Sequence, residues 1–248
     1  MMKTIKELIG ENPYPGRGII IGKAPDGRAA VAYFISGRSA NSRNRVFVRD
    51  DRGDIYTRPF DESKVEDPSL IIYRAVAHIE EKDPAAGTDQ KGLIVTNGDQ
   101  TDTIAGAILE GRTAADGLKT RKFEPDAPNF TSRISGVVRY ADGGSYQLSI
   151  LKSAGDTQAS DGGACDRFFY EYEPEPGKGH LIHTYEGDGS PLPAFRGEPA
   201  AVKIEKDINA MTEQIWESLN ADNRISLYVA YIDIKTGEEE TRLINRNR

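Results

Sequence analysis

Between Ser36 and Arg49 the chain places four arginines, Arg38, Arg43, Arg45 and Arg49, among serines and asparagines and without one carboxylate. A guanidinium presents paired N–H donors in a fixed fork that matches phosphate oxygens, and Ser and Asn add neutral donors. The stretch "SGRSANSRNR", Ser36 to Arg45, therefore suits capture of a small anion, although a solvated loop has the same composition. Three more polar segments fall at the ends of apolar runs, where site residues collect. "TNGDQTDTI", Thr96 to Ile104, passes from a strand end at Asn97 through Gly98 into a helix start whose free N–H groups favour an anion or a carbonyl oxygen. A plain capped turn would use Thr101 and Asp102 equally well. "FEPDAPNFTSRIS", Phe123 to Ser135, offers Glu124 and Arg133 about a proline-interrupted turn. "HTYEGDGSPLPAFRG", His183 to Gly197, brings Tyr185 and Glu186 out of a strand into a loop ordered by glycine and proline. Each of these also reads as a surface loop.

Other patterns argue against familiar chemistries. No P-loop is present and no GxGxxG follows a strand. "GRSAN" around Ser39 lacks the second glycine of a nucleophile elbow. His180 and His183, three apart in "HLIH", point to opposite faces of a strand and do not suit a shared metal. His78 lies in an apolar, β-rich run and reads as a hydrogen-bonded structural residue. Cys165 is the one cysteine, so an intrachain disulfide and a multi-thiolate zinc site are both excluded, and a reducing compartment is expected. The net charge of −7 disfavours a protein that coats nucleic acid or an anionic membrane. The start, "MMKTIKELIGENP", has no signal-peptide pattern, and no window is long and apolar enough to span a bilayer, so a cytoplasmic location is expected.

The elements that must carry these segments are mostly strands. Runs at Arg17 to Gly22, Arg28 to Ser36, Arg45 to Asp50, Leu70 to Ile79, Gly92 to Asn97, Arg133 to Tyr140 and Ser145 to Leu151 read as strands, with Asp26-Gly27 as a hairpin turn. Later strands are expected at Arg167 to Glu173, His180 to Tyr185, Arg224 to Ile234 and Thr241 to Arg246. Helices are expected from Thr101 or Asp102 to Gly111, from Thr113 to Lys122, and from Pro199 to Asn220. In the last, Ala201, Ile204, Ile208, Met211, Ile215 and Leu219 form one apolar stripe. Grouped helices among many strands imply an α+β fold of largely antiparallel sheets. The 248 residues suit one domain.

"YPGRG…IGK", "SGRSANSRNR", "TNGDQTDTI", "TSRISG" and "HTYEGDGSPLP", in this order between Tyr14 and Gly197, resemble the archaeal-type IMP cyclohydrolase family. The resemblance implies an Ntn-hydrolase-like, four-layer αββα sandwich that does not use an N-terminal nucleophile, which agrees with Met2 and Lys3. It implies dehydrative closure of 5-formamidoimidazole-4-carboxamide ribotide to inosine monophosphate, with no cofactor and no metal. The implied partner is thus a small purine ribotide, with neither nucleic acid nor membrane, and a homo-oligomer is left open. By the same resemblance Arg38, Ser39, Asn44 and Arg45 contact the ribotide, with Arg38 or Arg45 at its phosphate. Tyr73 donates to the formyl oxygen. Asn97, Gly98, Thr101 and Asp102 line the base or ribose. Glu124 transfers the proton, Arg133 holds that carboxylate or the substrate, and Tyr185 and Glu186 complete the site, Glu186 as the second candidate base. A nucleotide-binding protein without catalysis, or an amide hydrolase built on Cys165 or a serine, would keep parts of this pattern.

Overall fold

The computed structural model describes residues 2–65, 68, 71–83, 88–155 and 163–247. Two antiparallel sheets dominate it. The six-stranded sheet runs β11-β10-β1-β2-β12-β13, built from β1 (Arg17–Lys23), β2 (Ala29–Ser36), β10 (Lys178–His183), β11 (Ala200–Lys203), β12 (Arg224–Ile232) and β13 (Glu239–Asn245). The seven-stranded sheet is a meander of β3 (Val46–Arg49), β4 (Ile55–Arg58), β5 (Tyr73–Asp83), β6 (Thr88–Thr96), β7 (Arg133–Arg139), β8 (Ser145–Ser153) and β9 (Cys165–Tyr172).

Period-two alternation sorts the side chains into layers. In "AAVAYFIS" of β2, Val31, Tyr33 and Ile35 enter the core between the sheets, while Ala30, Ala32 and Phe34 face the other way. That other face is covered by α1 (Ile5–Ile9) and α5 (Ile208–Ser218), through Ile5, Ile9, Ile208, Met211 and Ile215. The outer face of the seven-stranded sheet packs α3 (Gln100–Leu109) and α4 (Ala114–Leu118) through Ile104, Ile108 and Leu118 against Ile94 and Val137. The sheets approach closely at Gly136 of β7, where a Cβ would stand 2.4 Å from Ile21 Cδ1. The fold is thus α+β with two antiparallel sheets around one shared apolar core. Among the described residues no helix is long and apolar enough to cross a membrane.

Three expectations are corrected. The helix expected from Pro199 begins only after Asp207, whose side chain accepts from Ala210 N at 2.9 Å. Residues 200–203 instead complete the sheet edge on β10, because pairing satisfies exposed backbone groups that a helix extension would leave without partners there. The helix after Asn97 starts at Gln100 with Asp99 at its cap position and no side-chain cap, since the Asp99 carboxylate is held by Arg121 and Arg133. The opening loop contains a helical turn, α2 (Ala40–Arg43), capped reciprocally by Ser39 and Ser42. β4 was not anticipated. The stretch from Ser153 to Gly163 lies largely outside the described residues.

His78 does take a structural role, as a clasp between sheets. From β5 its Nδ1 meets Asp54 at 2.9 Å, and its Nε2 meets Glu239 of β13 at 2.7 Å. Burial opposes charge on this ring, but the hydrogen bonds to Asp54 and Glu239 outweigh it and raise its pKa to about 9. A histidine pKa raised in the folded state stabilises fully below the unfolded value of 6.5, and that stabilisation is lost as pH rises through about 9. Unfolding in urea at about pH 6 and about pH 10 should therefore show a loss of up to about 3 kcal/mol that His78→Gln lacks. An equal alkaline loss in parent and variant would contradict the clasp.

Candidate active site

The polar segments, scattered through the sequence, converge at one end of the two sheets. Arg17 opens β1 and is 8% exposed; Glu124 precedes β7 and is 6% exposed. Arg17 Nη2 donates to Glu124 Oε1 and Oε2 at 3.0 and 3.1 Å, which joins the two sheets by a buried ion pair. Burial raises the Glu124 carboxyl above its ordinary value; Arg17 opposes this, Asp126 adds to it, and Arg133 and Arg45 oppose it again. Such a carboxylate is poised to exchange a proton closer to neutral pH than an ordinary glutamate is. Arg17 Nε, Arg133 Nε and Ser132 Oγ are buried with no partner among the described residues. Orphaned buried donors are costly, and they are expected where a ligand completes the bonding.

Around this pair the local chain is tightly pinned. Glu124 N donates to Thr131 O at 2.8 Å, closing the intervening loop, and Thr131 N donates to Asp126 Oδ1 at 2.6 Å. The Thr131 hydroxyl meets both Asp126 and the Tyr185 hydroxyl. Tyr185, buried after β10, stacks on Tyr14 with ring centroids 5.8 Å apart. Arg38 lies 5.5 Å over the Tyr14 ring and pairs with Asp188, so the arginine-rich loop meets the "HTYEGDG" loop at the rim. Gly16, at φ +74°, allows this crossing, because a Cβ there would stand 2.2 Å from Thr184 Oγ1. Tyr73 opens β5, 5% exposed, and its hydroxyl lies 2.8 Å from that of Tyr33. Burial opposes charge on Arg17, but Glu124 beside it outweighs that and keeps the guanidinium charged.

Of the residues expected from sequence, Arg45, Tyr73, Gly98, Glu124, Arg133 and Tyr185 belong to this cluster, and Arg38 stands at its rim. Gly98 is there for space: a Cβ would stand 2.5 Å from Arg133 Nη1 and 3.6 Å from Glu124 Oε1. Gly98→Ala should therefore displace the Arg133 guanidinium from Asp99 and Gln100, which it holds at 2.6 and 2.8 Å. A drop in kcat/KM of about a hundredfold, with a stability loss of about 1–3 kcal/mol, is expected by steady-state kinetics and thermal melting. Activity within a few-fold of the parent would remove Gly98 from the site.

Several expected ligands are occupied elsewhere. Ser39 spends its hydroxyl on the α2 cap, accepting from Ser42 N at 3.1 Å, and is exposed. Asn44 pairs its amide with the Asp61 backbone, donating to O and accepting from N at 2.8 Å each. Asn97 donates to Ser132 O at 2.8 Å and accepts from Ile134 N at 2.8 Å. Thr101 bonds the Thr96 hydroxyl at 2.6 Å. Asp102 is exposed and holds Arg74 at 2.6 Å. Glu186 turns outward and accepts from Arg196 N at 2.6 Å. These side chains shape the site's walls without reaching the Arg17–Glu124 pair.

Arg17, Tyr33, Asp99, Asp126 and Thr131 were not anticipated. An arginine leading into "GIII" was the available signal for Arg17. Cys165 lies on β9 with its side chain against the α3/α4 layer, and burial raises its thiol, so it is no activated nucleophile. His180 bonds the Tyr146 hydroxyl at 2.8 Å and His183 bonds Tyr185 O at 2.9 Å, so the two share no ligand. Two open clefts, of about 500 Å³ beside Arg139 and Tyr172 and about 560 Å³ beside Lys152 and Arg196, do not include the ion pair.

The similarity to known proteins follows the same segments. The IMP cyclohydrolase of Methanopyrus kandleri is 24% identical over 181 residues, 73% of this chain and 79% of that protein. The IMP cyclohydrolase of Methanosphaera stadtmanae is 33% identical over 129 residues, 50% of this chain and 57% of its own length. The family described as IMP cyclohydrolase-like protein matches residues 14–238, which carries the likeness past Gly197 through α5 and β12. With that match covering every strand except β13 and every segment of the buried cluster, the chain belongs to the IMP cyclohydrolase-like protein family.

Proposed function

We propose that this chain is a cytoplasmic, single-domain IMP cyclohydrolase with an Ntn-hydrolase-like, four-layer αββα fold, closing 5-formamidoimidazole-4-carboxamide ribotide to inosine monophosphate. The observation that carries this reading is the buried Arg17–Glu124 pair, together with Arg17 Nε, Arg133 Nε and Ser132 Oγ, which are buried without partners among the described residues. In the reaction the carboxamide nitrogen attacks the formyl carbon, forming the new C–N bond. The two nitrogens each lose a proton, and the formyl oxygen leaves with both as water.

Intramolecular attack gains most from a fixed near-attack geometry, which a rigid site between two sheets supplies. Glu124 accepts the proton from the attacking nitrogen, its basicity raised by burial. Tyr73 donates to the oxygen that becomes water. Arg17 holds Glu124 in place, and Arg133, anchored by Asp99 and Gln100, borders the same carboxylate. Arg38 at the rim and Arg45 beneath it are the cations for the phosphate. Glu186, exposed and bound to the Arg196 backbone, is set aside as the base.

Incubating the purified protein with the formylated ribotide and following inosine monophosphate absorbance tests the reading. Turnover well above the uncatalysed rate is expected. Tight nucleotide binding without turnover would instead make the chain a binding protein.

A further inference from the structure

We propose that Tyr33 is a positioning residue that acts through Tyr73: its hydroxyl donates to Tyr73 Oη, and this directs the Tyr73 proton to the reacting oxygen. The inference rests on the reading above and goes beyond it, since neither the sequence nor the family likeness singled out Tyr33. Tyr33 sits mid-strand on β2 and is 0% exposed. Among the described residues its hydroxyl makes one hydrogen bond, to Tyr73 Oη at 2.8 Å, and Tyr73's hydroxyl likewise makes only this one.

The ring of Tyr33 packs on Phe47 with centroids 5.4 Å apart, so a phenylalanine would fill the same space. The hydroxyl adds nothing to that packing and costs desolvation, which leaves the contact to Tyr73 as its use. Two facing hydroxyls share one proton along the line between them, so one must donate and the other accept. Direction follows from the surroundings. Tyr33 is fully buried, and among the described residues Tyr73 Oη is the one hydrogen-bond partner of its hydroxyl, so donation from Tyr73 to Tyr33 would leave the Tyr33 proton buried without an acceptor. The Tyr33 proton therefore points to Tyr73 Oη. Tyr73 then accepts from Tyr33, and its own proton is free for an oxygen on the more exposed side. Hydrogen bonds chained in this way polarise one another, which strengthens the terminal donor.

A double-mutant cycle tests this. Tyr33→Phe should lower kcat about tenfold with KM within about twofold, because the effect falls on the transferring proton and not on ribotide binding. Tyr73→Phe should lower kcat further, and Tyr33→Phe/Tyr73→Phe should be no slower than Tyr73→Phe alone. Losses that multiply in the double variant, or an unchanged kcat in Tyr33→Phe, overturn the proposal. Melting temperatures of the three variants separate this from a packing defect. If the parent protein does not turn over the ribotide, the functional reading falls by itself. The hydroxyl contact is then read from protein labelled at the tyrosine Cζ: a Tyr73 signal moved by Tyr33→Phe keeps the pairing, and an unmoved one overturns it.

Discussion

Glu124→Gln should lower kcat by about 10²–10⁴-fold and abolish the acid limb of the pH profile, while Glu186→Gln stays within about twofold of the parent. The contrast follows from where the two carboxylates sit. Glu124 is 6% exposed, and burial lifts it above the ordinary glutamate value of 4.5 against the pull of Arg17. In the parent, the acid limb of kcat/KM should therefore lie above pH 4.5, since protonation removes the base. Glutamine keeps an oxygen facing Arg17 but cannot accept a proton, so binding should suffer less than turnover. Glu186 is solvated and engaged with the Arg196 backbone, so its charge does little at the reacting atoms. Steady-state kinetics of both variants from about pH 4 to about pH 9 would decide between them. Loss of activity in Glu186→Gln, with Glu124→Gln intact, would reverse the assignment.

How far the sequence could lead depends on which physical signal each element carries. β2 and β12 are legible because both of their faces are buried, which leaves near-continuous apolar, β-rich runs in "AAVAYFIS" and "RISLYVAYI". β4, "IYTR", is too short for a period and follows the charged stretch "DDRGD". β11 was misread because Ala201 and Ile204 happen to continue the spacing of α5, whereas the edge of β10 decides their conformation. The site shows the same limit. Arginine and acid types were visible in the right segments, but Arg17 and Glu124 are 107 residues apart and only the packing of one sheet on the other makes them partners. Asn44 and Asn97 were legible as polar residues at strand ends. Whether an asparagine binds a ligand or satisfies nearby backbone is set by loop geometry, which residue type does not encode.

Arg17→Met should destabilise the protein by about 3–5 kcal/mol near neutral pH, and the deficit should shrink as the solution is acidified. Methionine fills much of the volume of the arginine stem, so the loss is electrostatic in origin and not a cavity effect. Removing the guanidinium leaves the Glu124 carboxylate buried, with Asp126 still acting against it and Arg133 and Arg45 acting for it. Its folded pKa must then rise further. A carboxyl raised in the folded state costs stability above its unfolded value, and the cost disappears once both states are protonated, so acid relieves the variant. Adding Glu124→Gln to Arg17→Met removes the buried charge and should recover most of the lost stability, although the double variant remains inactive. Urea unfolding of the parent, the single and the double variant at about pH 7 and about pH 5 measures all three terms. A deficit that does not change with pH, or a double variant less stable than Arg17→Met, would show that Arg17 serves packing and does not hold the Glu124 charge. The expected outcome instead makes the ion pair a device for keeping a buried proton acceptor ionised and oriented, which an intramolecular ring closure uses.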